Sequence, residues 1–477
     1  MRILITCFFY IFAIIAYAVE VESSSETLNL MPADVLHSAA TQYPRILETI
    51  SDQRAAEARA LSAEGAFDLI FDIDSYNYAE GFYDGRSVKA TASRYLRSNG
   101  GARIYGGYKL SDGTFPVYED ERFTNTAGQL NIGVLFSLLR DREIDPRRFN
   151  ETDKRLATRE AEFEVLLTQL GVVQKAMIAY WRWVALGQKK KVYNDLLSIA
   201  EKRQIALETE VEKGARARIV LTENLQNITQ RKSLVAVAQR DVATAANELS
   251  LFYRDEAGNE IIVSDENLPD YKPGISSNDT FYALENLETL YDSRPELKQL
   301  RNTITRAIRR IELNQNALLP RLDLNVEAYT PLGAIAEGGS SRDESDIIIG
   351  LKFSVPLERR LARGNLAESK AKLDALRHKE NLLEDKIELE VRNVLIDLNA
   401  AENLLSLAQD EVTQSETLRN AEIRLFQRGA SDFFLVNIRE KTAAEAKIRF
   451  YLAGLQREIA QTNFDAATAN FEKLGIN

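Results

Sequence analysis

The sequence has very little of the chemistry that most enzyme and metal sites need. Its 477 residues include one cysteine, two histidines and three methionines. A single cysteine, Cys7, excludes a disulfide framework, and the isolated His37 and His378 do not give the ligand spacing of a metal site. No glycine-rich phosphate-binding loop is present. The sequence therefore predicts no cofactor and no metal, and it favours a protein that is not an enzyme.

The sequence also lacks an excess of positive charge. Its 60 Lys and Arg residues are outnumbered by 71 Asp and Glu residues, which gives a formal net charge of −11. General nucleic-acid binders carry basic surfaces, so this balance argues against a nucleic acid as partner. Beyond residue 18 no long apolar run occurs, and a second membrane-spanning helix is not predicted.

The one long apolar run lies at the N-terminus. It extends from Ile3 to Ala18 directly after Arg2, and the small residues Ala16 and Ala18 precede a possible cleavage point. These features predict a secretory signal peptide over 1–18, with an uncleaved membrane anchor as the alternative. Cys7 lies inside the run rather than after the cleavage point, so it is a poor candidate for lipid attachment.

The strongest periodic pattern is a heptad repeat in the C-terminal part of the chain. Apolar or small residues recur at alternating steps of four and three, first from Ile387 to Val412 and again from Ile448 to Ala469. This spacing is the seam of a coiled coil. A short break, Gln427-Arg428-Gly429-Ala430, separates the two stretches. The pattern predicts two antiparallel helices, the first of which starts near Arg360 and spans roughly 100 Å at 1.5 Å per residue.

Segments of period two predict β-strands with one apolar and one polar face. Four such segments are clear: 67–74, 130–138, 322–328 and 347–355. A further hairpin, with strands 88–96 and 102–110 and a turn at Asn99-Gly100-Gly101, fits the long loop at 79–126. Whether this loop adds strands to the same sheet is left open. Such strands are typical of outer-membrane barrels, although a soluble sheet with one face on a core shows the same alternation.

The order of helix, strands and helical hairpin occurs twice. The segment 132–137 resembles 349–354, and the glycines at the two hairpin tips, Gly214 and Gly429, are separated by almost the same number of residues. These correspondences predict an internal duplication. The predicted parts are a first structural repeat at 19–253, a connector at 254–278 and a second structural repeat at 279–477.

This duplicated order resembles the TolC-like outer-membrane efflux family. The resemblance also rests on the signal peptide, on a proline in each leading helix (Pro44 and Pro295) and on the tip glycines, and it covers about Leu28 to Asn470. It implies a mainly α fold with a β-barrel part. Three subunits, with four strands each, would form a twelve-stranded outer-membrane barrel that a periplasmic α-helical coiled-coil barrel continues.

The resemblance implies the exit duct of a tripartite efflux or type I secretion system. The expected partners are two further copies in a homotrimer, a periplasmic adaptor protein, an inner-membrane pump and outer-membrane lipid. The expected location is the outer membrane of a Gram-negative-type cell. The alternative is a periplasmic adaptor or coiled-coil scaffold, although adaptors normally have one helical hairpin rather than two.

The resemblance also implies candidates for the periplasmic aperture. Family members have an aromatic residue three before the second tip glycine, here Phe426, and aspartates six and nine after it, here Leu435 and Ile438. The acidic ring is therefore missing from these positions, and a leucine ring that gates by dewetting is the hypothesis in its place. The alternative is that Asp432 sets the aperture. The first hairpin offers Val220 and Glu223.

The remaining candidates are contacts with the adaptor and with lipid. Five residues at the tips would meet the adaptor, with a plain solvated tip as the alternative: Gly214, Arg216, Arg218, Arg428 and Gly429. Seven apolar residues at alternate positions of two strands would face lipid: Leu322, Leu324, Val326, Ile347, Ile349, Leu351 and Phe353. Neither the pattern nor the resemblance specifies the exported substrate.

Overall fold

The computed structural model describes residues 29–98, 100–274, 287–336 and 344–476. The predicted signal peptide with Cys7, the turn residue Asn99 and the end of the predicted connector, 275–278, lie outside the described residues. Within the described ranges the chain forms eight α-helices and one six-stranded sheet. None of these helices has the length and apolar character that a membrane span requires.

Prolines divide the helices that lead into each set of strands. Tyr43 and Arg294 adopt extended conformations immediately before Pro44 and Pro295, because proline disfavours a helical residue before it and suits the first turn of the next helix. The predicted interruptions at both prolines are confirmed. The four helices are α1 (Pro32–Gln42), α2 (Pro44–Glu64), α5 (Leu287–Ser293) and α6 (Pro295–Asn316).

The sheet is antiparallel, and its strands follow one another in chain order. They are β1 (Ile70–Asn77), β2 (Arg86–Tyr95), β3 (Arg103–Asp112), β4 (Gln129–Ser137), β5 (Arg321–Pro331) and β6 (Asp346–Ser354). The predicted hairpin is confirmed as β2 and β3, and it lies inside the sheet, between β1 and β4. The expectation of four strands per chain is therefore wrong.

The first strand begins later than the period-two pattern predicts. Phe67 ends a 3₁₀ turn over Gly65–Phe67 and is buried at the junction of helix and strand. The guanidinium of Arg97 lies over its ring at 5.0 Å. The prediction of a strand over 67–74 is wrong at its start, because Phe67 packs at this junction instead of joining the sheet.

Two long helical hairpins extend away from the sheet. The first consists of α3 (Pro146–Glu212) and α4 (Ile219–Ser250), and the second of α7 (Arg360–Gln427) and α8 (Phe433–Ala467). Helices α3 and α7 have 67 and 68 residues, so each is about 100 Å long at 1.5 Å per residue. The predicted antiparallel helices and their break at Gly429 are confirmed.

The heptad seam is correct for α7 and only partly correct for α8. Residues of the seam from Ile387 to Val412 are buried or half-buried. On α8, Ile448 is buried and packs with Leu196 of α3. Leu452 is exposed and Ala469 lies beyond the helix end. The prediction is wrong at Leu452 because α8 packs against α3 as well as α7, and at Ala469 because the helix has already ended, although Ala469 is buried.

The largest apolar core lies where α1, α2 and α4 pack around the middle of α3. Trp183 and Tyr180 are buried at its centre, and the Tyr180 hydroxyl donates to the carbonyl oxygen of Leu30 at 2.9 Å. The C-terminal residues Leu474 and Ile476 pack on a second cluster between α1 and α3. This packing holds the helices in one bundle with the sheet at one end and both hairpin tips at the other.

Candidate functional site

One face of the sheet is apolar along all six strands, and we call it the apolar face. The register places all seven predicted lipid contacts on this face, with Leu324 opposite Leu351 and Val326 opposite Ile349. The residues of β6 on this face are 64–73% exposed. The face also contains residues of the other strands: Phe71, Ile73, Val88, Ala90, Ile104, Leu110, Ile132 and Val134. A continuous exposed apolar surface of this extent marks contact with lipid or protein.

The opposite face is polar and curved, and we call it the concave face. One cavity is lined by residues from all six strands, which places their side chains around a common space: Asp74, Ser87, Lys89, Lys109, Gln129, Asn131, Tyr329 and Asp346. The segment Val117–Arg122 between β3 and β4 lies against this face, where the Arg122 guanidinium is 3.7 Å from the centre of the Tyr76 ring. The concave face therefore has the polarity of a water-filled lumen.

Side chains on the concave face bond across strands. The Tyr105 hydroxyl of β3 lies 2.9 Å from a carboxylate oxygen of Glu327 on β5, and the amide of Asn131 on β4 donates to the other oxygen at 3.0 Å. Gly133 makes this possible, because a Cβ there would lie 2.4 Å from the Tyr105 ring. The Tyr105 side chain thus crosses β4, and hydrogen bonds to Glu327 link β3, β4 and β5.

Both hairpin tips turn at a glycine with left-handed backbone. Gly214 has φ 72° and Gly429 has φ 76°, a conformation that other residues adopt only with strain. Each tip closes with a bond of the Schellman type, from Ala215 to Glu210 and from Ala430 to Leu425, both at 2.9 Å. The second tip also has an N-cap, because the Asp432 carboxylate accepts from the Leu435 amide at 2.7 Å.

Aromatic and charged contacts join the two tips. The Arg216 guanidinium of the first tip lies 4.3 Å from the centre of the Phe426 ring in the second tip, and it also donates to Glu210 at 2.6 Å. Phe426 lies beside Phe433, with ring centres 6.4 Å apart. Two residues predicted from the sequence, Arg216 and Phe426, are therefore in contact with each other within one chain.

The structure separates the aperture candidates into three groups. Leu435 and Ile438 are 36% and 40% exposed on α8, and Ile438 lines one groove together with Glu223. Val220 is half-buried. Asp432 is exposed but is engaged as the N-cap of α8. The remaining tip candidates, Gly214, Arg218, Arg428 and Gly429, are exposed.

A buried charged network lies close behind the tips, and we call it the tip network. It consists of Arg203 on α3, Arg231 on α4, and Asn437 and Glu440 on α8. Glu440 is 2% exposed and accepts from Arg203 at 3.0 Å and from Arg231 at 3.1 Å. Arg231 also donates to the carbonyl oxygen of Leu196 at 2.6 Å. Burial lowers the pKa of Arg231, and the hydrogen bond and charge of Glu440 oppose that shift.

Sequence motifs did not predict the tip network, because its members come from three helices far apart in the chain. One signal for it exists in the sequence. Glu440 follows Phe433 and precedes Ala444 at coiled-coil spacing, so a charged residue occupies a seam position of α8. A buried charge at such a position needs a partner on a neighbouring helix. The pattern alone does not say which arginine supplies it.

No cluster of three or more metal-ligating side chains occurs in the part of the chain that the structure describes. The half-buried carboxylate Glu458 of α8 is engaged by neighbouring side chains. Glu458 lies 3.3 Å from the Tyr271 hydroxyl and pairs with Arg457 at 3.2 Å. Burial raises the pKa of Glu458, while Arg457 opposes that shift.

Neither a protein-family model nor a curated protein sequence matches this chain. Solved structures of outer-membrane channels do match it. The structure of VceC from Vibrio cholerae has a TM-score of 0.61 at 13% identity, and the match covers 92% of this chain and 96% of that one. MtrE from Neisseria gonorrhoeae gives 0.62 at 12% identity, with coverage of 94% and 93%. CmeC from Campylobacter jejuni gives 0.59 at 13%, with coverage of 92% and 85%.

These matches extend over the sheet, the bundle and both hairpins of the chain. The identities are low, so the likeness concerns the fold. The chain has the fold of these outer-membrane channels, which confirms the TolC-like fold expected from the sequence.

Proposed function

We propose that this chain is a subunit of an outer-membrane exit duct. The observation that carries the proposal is the sheet, whose exposed apolar face suits lipid and whose concave polar face suits water. The sheet is joined directly to two hairpins whose long arms each extend about 100 Å. A subunit built in this way spans the outer membrane with its sheet and the periplasm with its helices.

The proposed assembly is a homotrimer that works with a periplasmic adaptor and an inner-membrane pump. One six-stranded sheet does not close on itself, because the smallest membrane barrels have eight strands. Further copies would complete the wall. Tripartite efflux and type I secretion both use such a duct, and the function belongs to one of these two systems. The two structural repeats, at 19–253 and 279–477, would stem from an internal duplication.

The proposed entrance is the ring of hairpin tips. Leu435 and Ile438 are exposed on α8 in one chain, so neighbouring copies would bring them around a common axis as an apolar constriction that gates by dewetting. The tip network holds the first and second hairpins together just behind this constriction. The exposed tip residues Arg218 and Arg428 would meet the adaptor, whose binding would spread the hairpins.

Membrane fractionation followed by single-channel recording tests the duct. We expect the protein to remain in the outer-membrane fraction after a high-salt wash and to form channels in planar bilayers. Release by salt, together with an absence of channels, would contradict the proposal and would favour a periplasmic scaffold or adaptor.

The entrance is tested with two substitutions at one position. Leu435→Ser should raise single-channel conductance because it makes the constriction wettable, and Leu435→Asp should add cation selectivity. A matched control is Phe434→Ser on the adjacent, more exposed residue, for which we expect little change. Unchanged conductance in all three variants would leave the duct in place and remove Leu435 from the aperture.

A further inference from the structure

The hairpin of β2 and β3 is built into the wall of the sheet rather than attached to its edge. β2 pairs with β1 over the whole of β1, and β3 pairs with β4 over seven residues. Each strand has ten residues, which is the length of a barrel strand that crosses a bilayer. Val88 and Ile104 lie on the apolar face, whereas Lys89 and Lys109 line the concave face. Any barrel that this sheet forms therefore contains the hairpin.

The two end strands each have one edge without a partner strand in the described part of the chain. Because the six strands alternate in direction, β1 and β6 run opposite ways. The β6 edge of one chain can therefore pair antiparallel with the β1 edge of another, and every pair in the closed wall stays antiparallel. An unpaired edge of this kind is an open template for strand addition.

The stagger of the sheet determines which residues meet at such a seam. Ile70 of β1 is connected to Ile348 of β6 through one paired residue on each strand between them. These residues are Ser93, Tyr105, Gly133 and Glu327. Ile348 lies six residues before Ser354, where β6 ends next to the helices. Six residues correspond to about 20 Å along a strand. From β1 of one copy to β1 of the next there are six strand spacings, five within the sheet and one across the seam, which correspond to about 29 Å. These lengths give a tilt of about 35°, which closed barrels have.

With the helix-side ends of the strands level, Ile70 of one copy lies opposite Ser354 of the next. This register pairs Phe71 with Phe353 on the apolar face. On the concave face it pairs Asp72 with Lys352, two exposed residues of opposite charge that have no ion-pair partner among the described residues. A slip by one residue would place apolar side chains opposite polar ones.

We propose that β1 of one chain pairs with β6 of a second copy, with Asp72 opposite Lys352, and that three copies close an eighteen-stranded barrel. The number of copies rests on the homotrimer of the proposed function, whereas the six strands per chain rest on the sheet itself. Barrel diameter grows roughly linearly with strand number. The barrel is therefore about 1.5 times as wide as a twelve-stranded one.

Cysteine cross-linking in native membranes tests the seam, and the only natural cysteine of the chain is Cys7. With Cys7 replaced by Ser, the variant Asp72→Cys/Lys352→Cys is treated with a short thiol cross-linker. We expect covalent trimer as the end product, because three seams close the ring. The matched control is Asp72→Cys/Ile348→Cys. Ile348 lies on the same face of β6, about 13 Å from Lys352, and should give at least tenfold less product.

Each other outcome of this experiment overturns a defined part of the proposal. Cross-linked product that ends at a dimer would show a two-copy, twelve-stranded barrel. Efficient cross-linking at Ile348→Cys and not at Lys352→Cys would show that the register is wrong. Covalent products from neither pair would contradict the β1–β6 seam.

A charge exchange tests the seam without added thiols. Lys352→Asp and Asp72→Lys should each reduce the fraction of heat-resistant trimer several-fold, because like charges then face each other. The double exchange should restore that fraction. A double variant no better than the worse single variant would contradict the pairing of Asp72 with Lys352.

Labelling of single cysteines shows whether β2 and β3 lie in the wall. A water-soluble maleimide should label Lys89→Cys at least tenfold faster than Val88→Cys, because the first side chain faces the lumen and the second faces lipid. Equal labelling would place the hairpin outside the wall and would overturn the eighteen-stranded barrel. The exit duct itself would survive that result, since its own test is retention in the outer membrane.

Discussion

The two ends of this molecule differ in whether their side chains and strands have partners within one chain. Behind the tips, the charge of Glu440 is buried and receives donors from Arg203 and Arg231 of the same chain. At the sheet end, by contrast, the apolar residues of β6 are exposed and the edges of β1 and β6 have no partner strand among the described residues. The charges behind the tips are thus paired within one chain, whereas the described part of the chain leaves the apolar face and the outer edges of the sheet uncovered.

This difference predicts that substitutions behind the tips change the stability of the chain itself, whereas substitutions on the sheet change its contacts with its surroundings. A buried ion pair is a poor source of net stability, but the loss of one partner is costly because the other charge stays buried. An exposed apolar face is stable in contact with lipid, whereas in water it promotes aggregation.

Removal of the central charge of the tip network should have the largest effect. Glu440→Ala leaves Arg203 and Arg231 without their carboxylate, and we expect a loss of about 3–5 kcal/mol in unfolding free energy. Urea titration of the helical circular-dichroism signal measures it. The control is Glu411→Ala, which removes an exposed partner of Arg449 and should cost at most about 1 kcal/mol. Similar losses in both variants would show that the tip network has no special role.

A charge placed on the apolar face of the sheet should have the next largest effect. Ile349 and Ile348 are adjacent residues of β6 on opposite faces, and Ile348 lines the concave cavity. Ile349→Arg should cost about 2–4 kcal/mol near the middle of the bilayer, whereas the matched Ile348→Arg should cost much less. The yield of heat-resistant oligomer measures both. An equal decrease would mean that the two faces are wrongly assigned.

Periodicity was sufficient to predict the elements that have a regular apolar stripe. The seam of α7 and the alternation in β5 and β6 are local patterns, so their positions follow from the sequence. The start of β1 does not, because Phe67 fits the alternation but packs at a junction with Arg97. The pattern also indicated the β2–β3 hairpin, while its place between β1 and β4 depends on pairing with distant strands.

The candidate site was less predictable than the fold. The positions of Phe426 and Leu435 follow from their distance to Gly429, and the structure places both near the tip. The contact of Phe426 with Arg216 joins residues about two hundred positions apart, and no local spacing encodes it. The same holds for Glu440 and its two arginines. Contacts between the hairpins arise from packing, so they appear only once the bundle is assembled.

The smallest predicted effect concerns the contact that joins the two tips. Phe426→Leu removes the ring beneath the Arg216 guanidinium, and a cation–π contact at such a site is worth about 0.5–1 kcal/mol. The first tip should then open more often. Because trypsin cuts after arginine and lysine, cleavage at Arg216 and Arg218 should become about 2–5 times faster, since cleavage follows the population of the open form.

The control for this prediction is Phe434→Leu. Phe434 is 70% exposed at the start of α8, and no aromatic or cation–π contact involving it occurs among the described residues, so its loss should leave the rate of cleavage unchanged. Equal acceleration in both variants would mean that any shortened side chain loosens the tips. Unchanged cleavage in both would mean that the first tip is held by its own bond from Arg216 to Glu210 and that each hairpin tip is complete without the other.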